Sequence, residues 1–230
     1  MCRLVLSFIV AASGVASAEA ATRGFAVGGF DRVESSVPFD VRVHTGAAPG
    51  VHATGPQEML DRLTVEVRGG ELRIGTAPGR WSSTWNWQGQ RGVIDVAVPM
   101  VQAATLSGPG NLTVDSVRVP RFVAALRGPG DLTVASLETR QLNATLSGPG
   151  NLSLAGRAGT ANLVLSGPGE MRVAKLVARD ATVLLSGPGD LAATVTGTAN
   201  GTLTGPGSIV IRGGARCAIT KHGPGDVDCR

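Results

Sequence analysis

The sequence predicts an all-β protein: a right-handed parallel β-solenoid (β-helix) preceded by an irregular β cap. Three observations carry this. A Gly-Pro-Gly corner recurs seven times, its first glycines standing at 108, 128, 148, 167, 187, 205 and 223, so the spacing shrinks from 20 residues to 18. Apolar residues alternate with others on both sides of each corner, which is the period of a strand with one buried face. Aromatics are only 3% of the 230 residues while 43% are hydrophobic, so the core has to be built from Leu, Val, Ala and Ile.

The columns of the repeat define its inside. Two residues before the first glycine stand Leu106, Leu126, Leu146, Leu165, Leu185, Leu203 and Lys221. Four after it stand Leu112, Leu132, Leu152, Met171, Leu191, Ile209 and Val227, and six after it Val114, Val134, Leu154, Val173, Ala193, Ile211 and Cys229. Proline presets φ and glycine accepts backbone angles that other residues avoid, so Gly-Pro-Gly turns the chain between the two apolar stretches. One copy has no second layer of its own. Stacking copies about 4.8 Å apart buries a continuous core and pairs each backbone with its neighbours. A β-sandwich, the main structural rival, does not repeat one corner seven times.

Residues 101–230 therefore form the repetitive solenoid, with seven Gly-Pro-Gly coils, and residues 21–100 an N-terminal β segment serving as cap and first coils. Within the cap, Phe30–Val33, Val37–Val43, Val51–Ala53 and Val93–Val98 read as strands. A short helical stretch is expected around Gln57 to Leu63. Leu63–Val67 and Glu71–Ile74 flank Gly69-Gly70, a hairpin signal. The segment Trp81 to Trp87 holds every tryptophan and serves either to cap the first coil or as an aromatic platform.

Residues 1–20 read as a signal peptide: Arg3, an apolar run from Leu4 to Ala12, then Ala16-Ser17-Ala18, with a second A-x-A at Ala18-Glu19-Ala20. The run is too short to span a bilayer, which takes roughly 20 residues. The expected location is the periplasm, the medium or the bacterial cell surface. The net charge of +4 comes almost wholly from arginine. That favours an acidic envelope polymer over nucleic acid, which a secreted chain seldom meets.

The opening Phe30-Asp31-Arg32-Val33, the strand Leu72-Arg73-Ile74 after a glycine turn, and Val96-Ala97-Val98-Pro99 leading into repeated Ser-Gly-x-Gly-Asn/Asp-Leu resemble the putative auto-transporter adhesin, head GIN domain family of secreted bacterial proteins. The resemblance covers nearly all of the chain after the signal peptide. It implies a β-solenoid and an envelope location, and it brings no catalytic motif. Proline replaces the serine more usual at the corner, which stiffens the turn.

No catalytic constellation is evident. The histidines are His44, His52 and His222, and HExxH, GxSxG and CxxC do not occur. Nothing calls for a metal or cofactor. Three groups of residues remain as candidates. The first is a polar ladder three residues after each glycine, including Asp131, Glu170 and Asp190. Its side chains are expected to hydrogen-bond their own turn; the competing reading is a cation or sugar site near Glu170 and Asp190.

The second group is an uncharged strand face. Five residues before the glycine stand Ala103, Val123, Asn143, Asn162, Thr182, Asn200 and Ala218. Three before it stand Thr105, Ala125, Thr145, Val164, Leu184, Thr202 and Thr220. Exposed strands normally carry charge, so this face, centred on Thr145, Val164 and Leu184, is a candidate contact surface. The third group lies between copies: Arg118, Arg121, Arg140, Arg157, Lys175, Arg179, Arg212 and Arg216. Edge protection explains these cations, with contact to phosphate or carboxylate polymers as the alternative.

Cys217 and Cys229 are expected to form a disulfide. They lie six residues before and after Gly223, in columns otherwise filled by core residues, and Cys2 leaves with the signal peptide. The function expected is a non-enzymatic envelope binding or adhesion module. Its partner is an envelope glycan, an anionic polymer or a protein, with self-association as a further option. The alternatives are a carbohydrate-active enzyme of the polysaccharide lyase or hydrolase type, and a purely structural spacer.

Overall fold

The computed structural model describes residues 21–77 and 92–230. The signal-peptide reading and the tryptophan segment lie outside the described residues. Of the described residues 70% are strand and 3% helix, with a β-solenoid of about six turns, which the seven corners delimit.

The cap comprises β1 (Ala21–Phe25), β2 (Arg32–Ser35), β3 (Asp40–Thr45), β4 (Gly50–Gly55), helix α1 (Gln57–Arg62), β5 (Leu63–Arg68), β6 (Glu71–Thr76) and β7 (Val93–Val98). The array follows as β8 (Ala103–Leu106), β9 (Asn111–Val114), β10 (Val117–Leu126), β11 (Asp131–Leu146), β12 (Asn151–Ser166), β13 (Glu170–Ser186), β14 (Asp190–Thr204), β15 (Ser208–Arg212), β16 (Arg216–His222) and β17 (Asp226–Cys229). Every pairing within the array is parallel, as in β11 with β12, where Leu132 faces Leu152 and Leu146 faces Leu165.

Each turn has three sides. Along β11 the alternation of buried and exposed residues breaks twice, at Ala135-Ser136 and at Arg140-Gln141, where two successive residues are exposed. These breaks and the Gly-Pro-Gly corner close a triangle around Leu132, Val134, Leu137, Leu142, Ala144 and Leu146, all buried. The change in turn length is taken up at the two breaks away from the glycines. Between β13 and β14, Val173 faces Ala193 but Val177 faces Thr194, so residues drop out at that corner, and one is regained at the next, where Ala178 faces Val195 but Asp180 faces Thr198. Buried leucines at 126, 146, 165, 185 and 203 form one internal column. Full burial of each contributes about 1.5–3 kcal/mol.

The cap is not stacked in chain order. β2 lies between β6 and β8, with Val33 facing both Leu72 and Ala104. β3 lies between β7 and β9 in the same way. Residues 32–45 are thus a turn of the solenoid itself, inserted between parts of the chain that come later. Its corner is Ser36-Val37-Pro38-Phe39: Ser107 N donates to Ser35 O at 2.8 Å and Gly110 N to Val37 O at 3.2 Å. Beyond it the pairing turns antiparallel, β4 on β7, β1 on β4 and β5 on β6. Helix α1 forms where expected and buries Met59 and Leu60 into the end of the core.

At the other end Leu203 faces Lys221, Ala199 faces Cys217 and Ile211 faces Cys229. The last coil is open to water, and Lys221, Cys217 and Cys229 are exposed. The cysteines are joined as a disulfide, their Cα atoms 6.6 Å apart. That spacing lies within the usual range for a bridge.

Candidate binding surfaces

The polar side follows the glycine corners. Register puts Asp131, Asn151, Glu170, Asp190, Ser208 and Asp226 in one column, continued on the cap side by Asn111 and Asp40. Three pairs of these side chains bond from coil to coil, where the sequence suggested bonds within each turn. Asn111 Nδ2 donates to Asp40 Oδ1 at 2.8 Å, Asn151 Nδ2 to Asp131 Oδ1 at 2.9 Å, and Ser208 Oγ to Asp190 Oδ1 at 2.7 Å. The physical reason is distance: adjacent rungs stand about 4.8 Å apart, within reach of a short amide and a carboxylate. Glu170 departs from the pattern by taking Arg172 Nη2 at 2.5 Å. This bond and the adjacent charge hold the Arg172 guanidinium above its ordinary range. Among the described residues no group of three or more His, Cys, Asp or Glu is arranged to hold a metal ion.

One titratable cluster was not legible in the sequence. His44 lies 3.5 Å from both Asp95 and Asp115, and Thr45 Oγ1 donates to Asp115 at 3.2 Å. Only the out-of-order stacking of β3 between β7 and β9 brings these groups together. The imidazole and both carboxylates are about half exposed.

The uncharged side precedes the corners. Asn143 faces Val123 and Asn162, followed by Thr182, Asn200 and Ala218; Thr145 faces Ala125 and Val164, followed by Leu184, Thr202 and Thr220. Thr145 is exposed, Val164 half-buried, and Leu184 is 44% and Val123 40% exposed. Ala125, expected on the solvent side, is buried. The character of the side changes where the cap begins. Arg32 and Glu34 face Ala103 and Thr105, and behind them stand Glu71 and Arg73, the latter paired with both glutamates.

The basic side lies between the other two. Arg118, Glu138, Arg157, Val177, Thr194 and Arg212 face one another across the sheet in turn. Arg118 Nε pairs with Glu138 at 2.8 Å. Asp180 accepts Thr198 Oγ1 at 2.7 Å, Thr198 N at 3.1 Å and Arg179 Nε at 2.8 Å. The threonine hydroxyl above all, then the guanidinium, hold its carboxyl below the ordinary aspartate range.

Three long sheet surfaces around a closed apolar interior define a parallel β-solenoid of the surface-presenting kind. The chain belongs to the putative auto-transporter adhesin, head GIN domain family, whose pattern matches residues 29–215. That membership points to an exported or surface protein of the adhesin-like type. Among solved structures, a "putative adhesin" of Bacteroides fragilis is 20% identical with a TM-score of 0.85, covering 93% of this chain and 98% of its own. A "putative lipid binding protein" of Parabacteroides distasonis is 18% identical with a TM-score of 0.73, covering 92% and 97%. A "putative adhesin" of Parabacteroides merdae is 16% identical with a TM-score of 0.72, covering 92% and 96%. These likenesses show the shared fold. No curated protein matches the chain. Among the described residues no helix is long and apolar enough to cross a membrane.

Proposed function

We propose that this chain is an exported, non-enzymatic envelope protein, a binding or adhesion module that works by presenting a rigid solenoid surface. Export is supported by the basic, apolar and A-x-A pattern of residues 1–20. The observation that carries the binding reading is the uncharged side. Its two columns run through seven rungs, roughly 29 Å at about 4.8 Å per rung, without one charged side chain in a chain that is 17% charged. No other part of the described residues covers Leu184 or Val123. A water-facing sheet of this size normally carries charge for solubility, and desolvating it against a partner costs little. The polar ladder acts in this account as inter-coil bonding.

The test is a binding screen of the purified protein lacking residues 1–20 against envelope glycans, anionic polymers and cell-surface extracts, with solution size measured alongside. Saturable capture of a partner, or concentration-dependent self-association, is the expected result. A monomer that captures nothing leaves a spacer and overturns the proposal.

A further inference from the structure

Neither contact through the uncharged side nor edge protection explains the cations on the inner rungs of the basic side. Residues 117–121, 137–141, 156–160, 175–180, 194–198 and 212–216 carry eight cations and two carboxylates, while the rest of the chain carries 13 basic and 15 acidic residues. Protection is needed at sheet edges. Yet β11, β12 and β13, which bear Arg140, Arg157 and Lys175, are each paired on both sides. The two carboxylates are already engaged, Glu138 by Arg118 and Asp180 by Arg179. Arg140, Arg157, Lys175, Arg212 and Arg216 are exposed and have no ion-pair partner among the described residues. Like charges on neighbouring rungs repel, so the arrangement costs stability until an anion fills it.

The shape of the row fits an extended occupant. At the corner beside the uncharged side, a Cβ on Gly159 would meet the carbonyl of Arg140, and one on Gly197 that of Arg179. Arginine and glycine therefore alternate along the axis, so that Arg140 and Arg179 stand two rungs, about 9.6 Å, apart along the backbone. A shallow depression lined by Arg118, Pro120, Glu138 and Arg140 opens at one end.

We infer that this side is a docking surface for a linear acidic polysaccharide, whose repeating carboxylates meet cations along the first four rungs, from Arg118 to Arg179, and again at Arg212 and Arg216. All but one of the eight cations are arginine, whose planar fork takes a carboxylate bidentately. Single-stranded nucleic acid is disfavoured because these segments contain no aromatic side chain on which bases could stack. A lipid surface is disfavoured because Val177 is the only large apolar side chain exposed here, too little to enter a headgroup layer. The inference builds on the binding reading but uses a different side of the solenoid.

The experiment titrates the protein lacking residues 1–20 with polygalacturonate, with dextran as an uncharged control and with phosphatidylglycerol vesicles and oligo-dT as competing polyanions. Polygalacturonate should bind, dextran should not, and affinity should fall as a power of the salt concentration, as for any multi-cation contact. The Arg140→Ala/Arg157→Ala double variant should lose about tenfold or more in affinity with an unchanged melting curve. Arg172→Ala, on the polar side, should bind like wild type. Absence of binding at low salt, indifference to the double variant, or tighter capture of vesicles or oligo-dT overturns the inference. A variant of the uncharged side that loses its partner but keeps polygalacturonate leaves this inference standing. Loss of polygalacturonate binding alone leaves the uncharged-side reading standing.

Discussion

The carbonyl oxygen of Gly110 stands in the space that a Cβ on Gly130 would occupy, and the carbonyl of Gly130 stands likewise over Gly150. The second glycine of each corner is therefore fixed by the coil stacked on it and not by its own turn. Gly130→Ala has to push two backbones apart inside a paired stack. It should cost about 3 kcal/mol or more, at the severe end of single substitutions. Pro129 is exposed, so Pro129→Ala should cost at most about 1 kcal/mol, mainly by loosening the unfolded chain. Urea unfolding of the two variants measures the contrast, and equal losses would contradict it.

The first glycine behaves differently along the array. Gly167, Gly187, Gly205 and Gly223 have φ between 113° and 134°, whereas Gly108, Gly128 and Gly148 do not have positive φ. Alanine at Gly187 is strained by its own backbone, whatever room surrounds it. The repeating motif thus conceals two corner conformations, which identical letters could not reveal.

The Cys217–Cys229 bridge closes a coil that has nothing stacked beyond it among the described residues and lies past the family match. For a loop this short the chain-entropy model gives about 3 kcal/mol. Cys217→Ser/Cys229→Ser should loosen the last coil first. Hydrogen exchange should rise in 216–230 before it rises in β11 or β12. Simultaneous exchange throughout would reject this reading.

Ser35 stands in the internal column between Ile74 and Leu106. It is fully buried, and its hydroxyl has no hydrogen-bond partner among the described residues. An unsatisfied buried hydroxyl costs about 1–3 kcal/mol, so Ser35→Ala should hold or raise stability, by up to about 1 kcal/mol after the small void is counted. A clear loss in thermal unfolding would show that the hydroxyl is satisfied.

The lowered pKa of Asp180 has a defined pH signature. A carboxyl depressed by folding stabilises fully above its unfolded value, about 3.9, and that contribution is lost as pH falls through the lower folded value. Thr198 is the main cause. Thr198→Val should therefore destabilise at neutral pH and converge on wild type in strong acid. A difference independent of pH would show that the carboxylate is not involved.

If the ladder bonds coils together, it does not turn over substrate. No release of reducing or unsaturated sugar is expected from any polysaccharide. Turnover abolished by Glu170→Gln or Asp190→Asn would instead make the chain an enzyme.

How much of this was legible follows from where each feature is encoded. The array was legible because its columns are local: Leu146 and Leu152 recur with their corner every turn. The Ser36–Phe39 corner was not, because Val37 and Phe39 stand where other turns have glycine, and its neighbours in space are 71 residues away, as Asp40 is from Asn111. The same long-range insertion hid the His44 cluster. The column of Asp131, Glu170 and Asp190 could be read from the repeat, but the direction in which its side chains bond depends on the stacking distance and not on sequence. The charge asymmetry was visible as a list of arginines; that β11, β12 and β13, which bear Arg140, Arg157 and Lys175, are paired on both sides and so need no edge protection emerged only from the register.

Arginine placed singly at Thr145, Val164 and Leu184 would put charge on the uncharged side without touching the core. Partner capture and solution size would then be measured for each variant beside its melting curve. Capture or self-association should be lost, with melting curves close to wild type because all three side chains point away from the core. Three variants that bind, associate and melt like wild type would contradict this expectation.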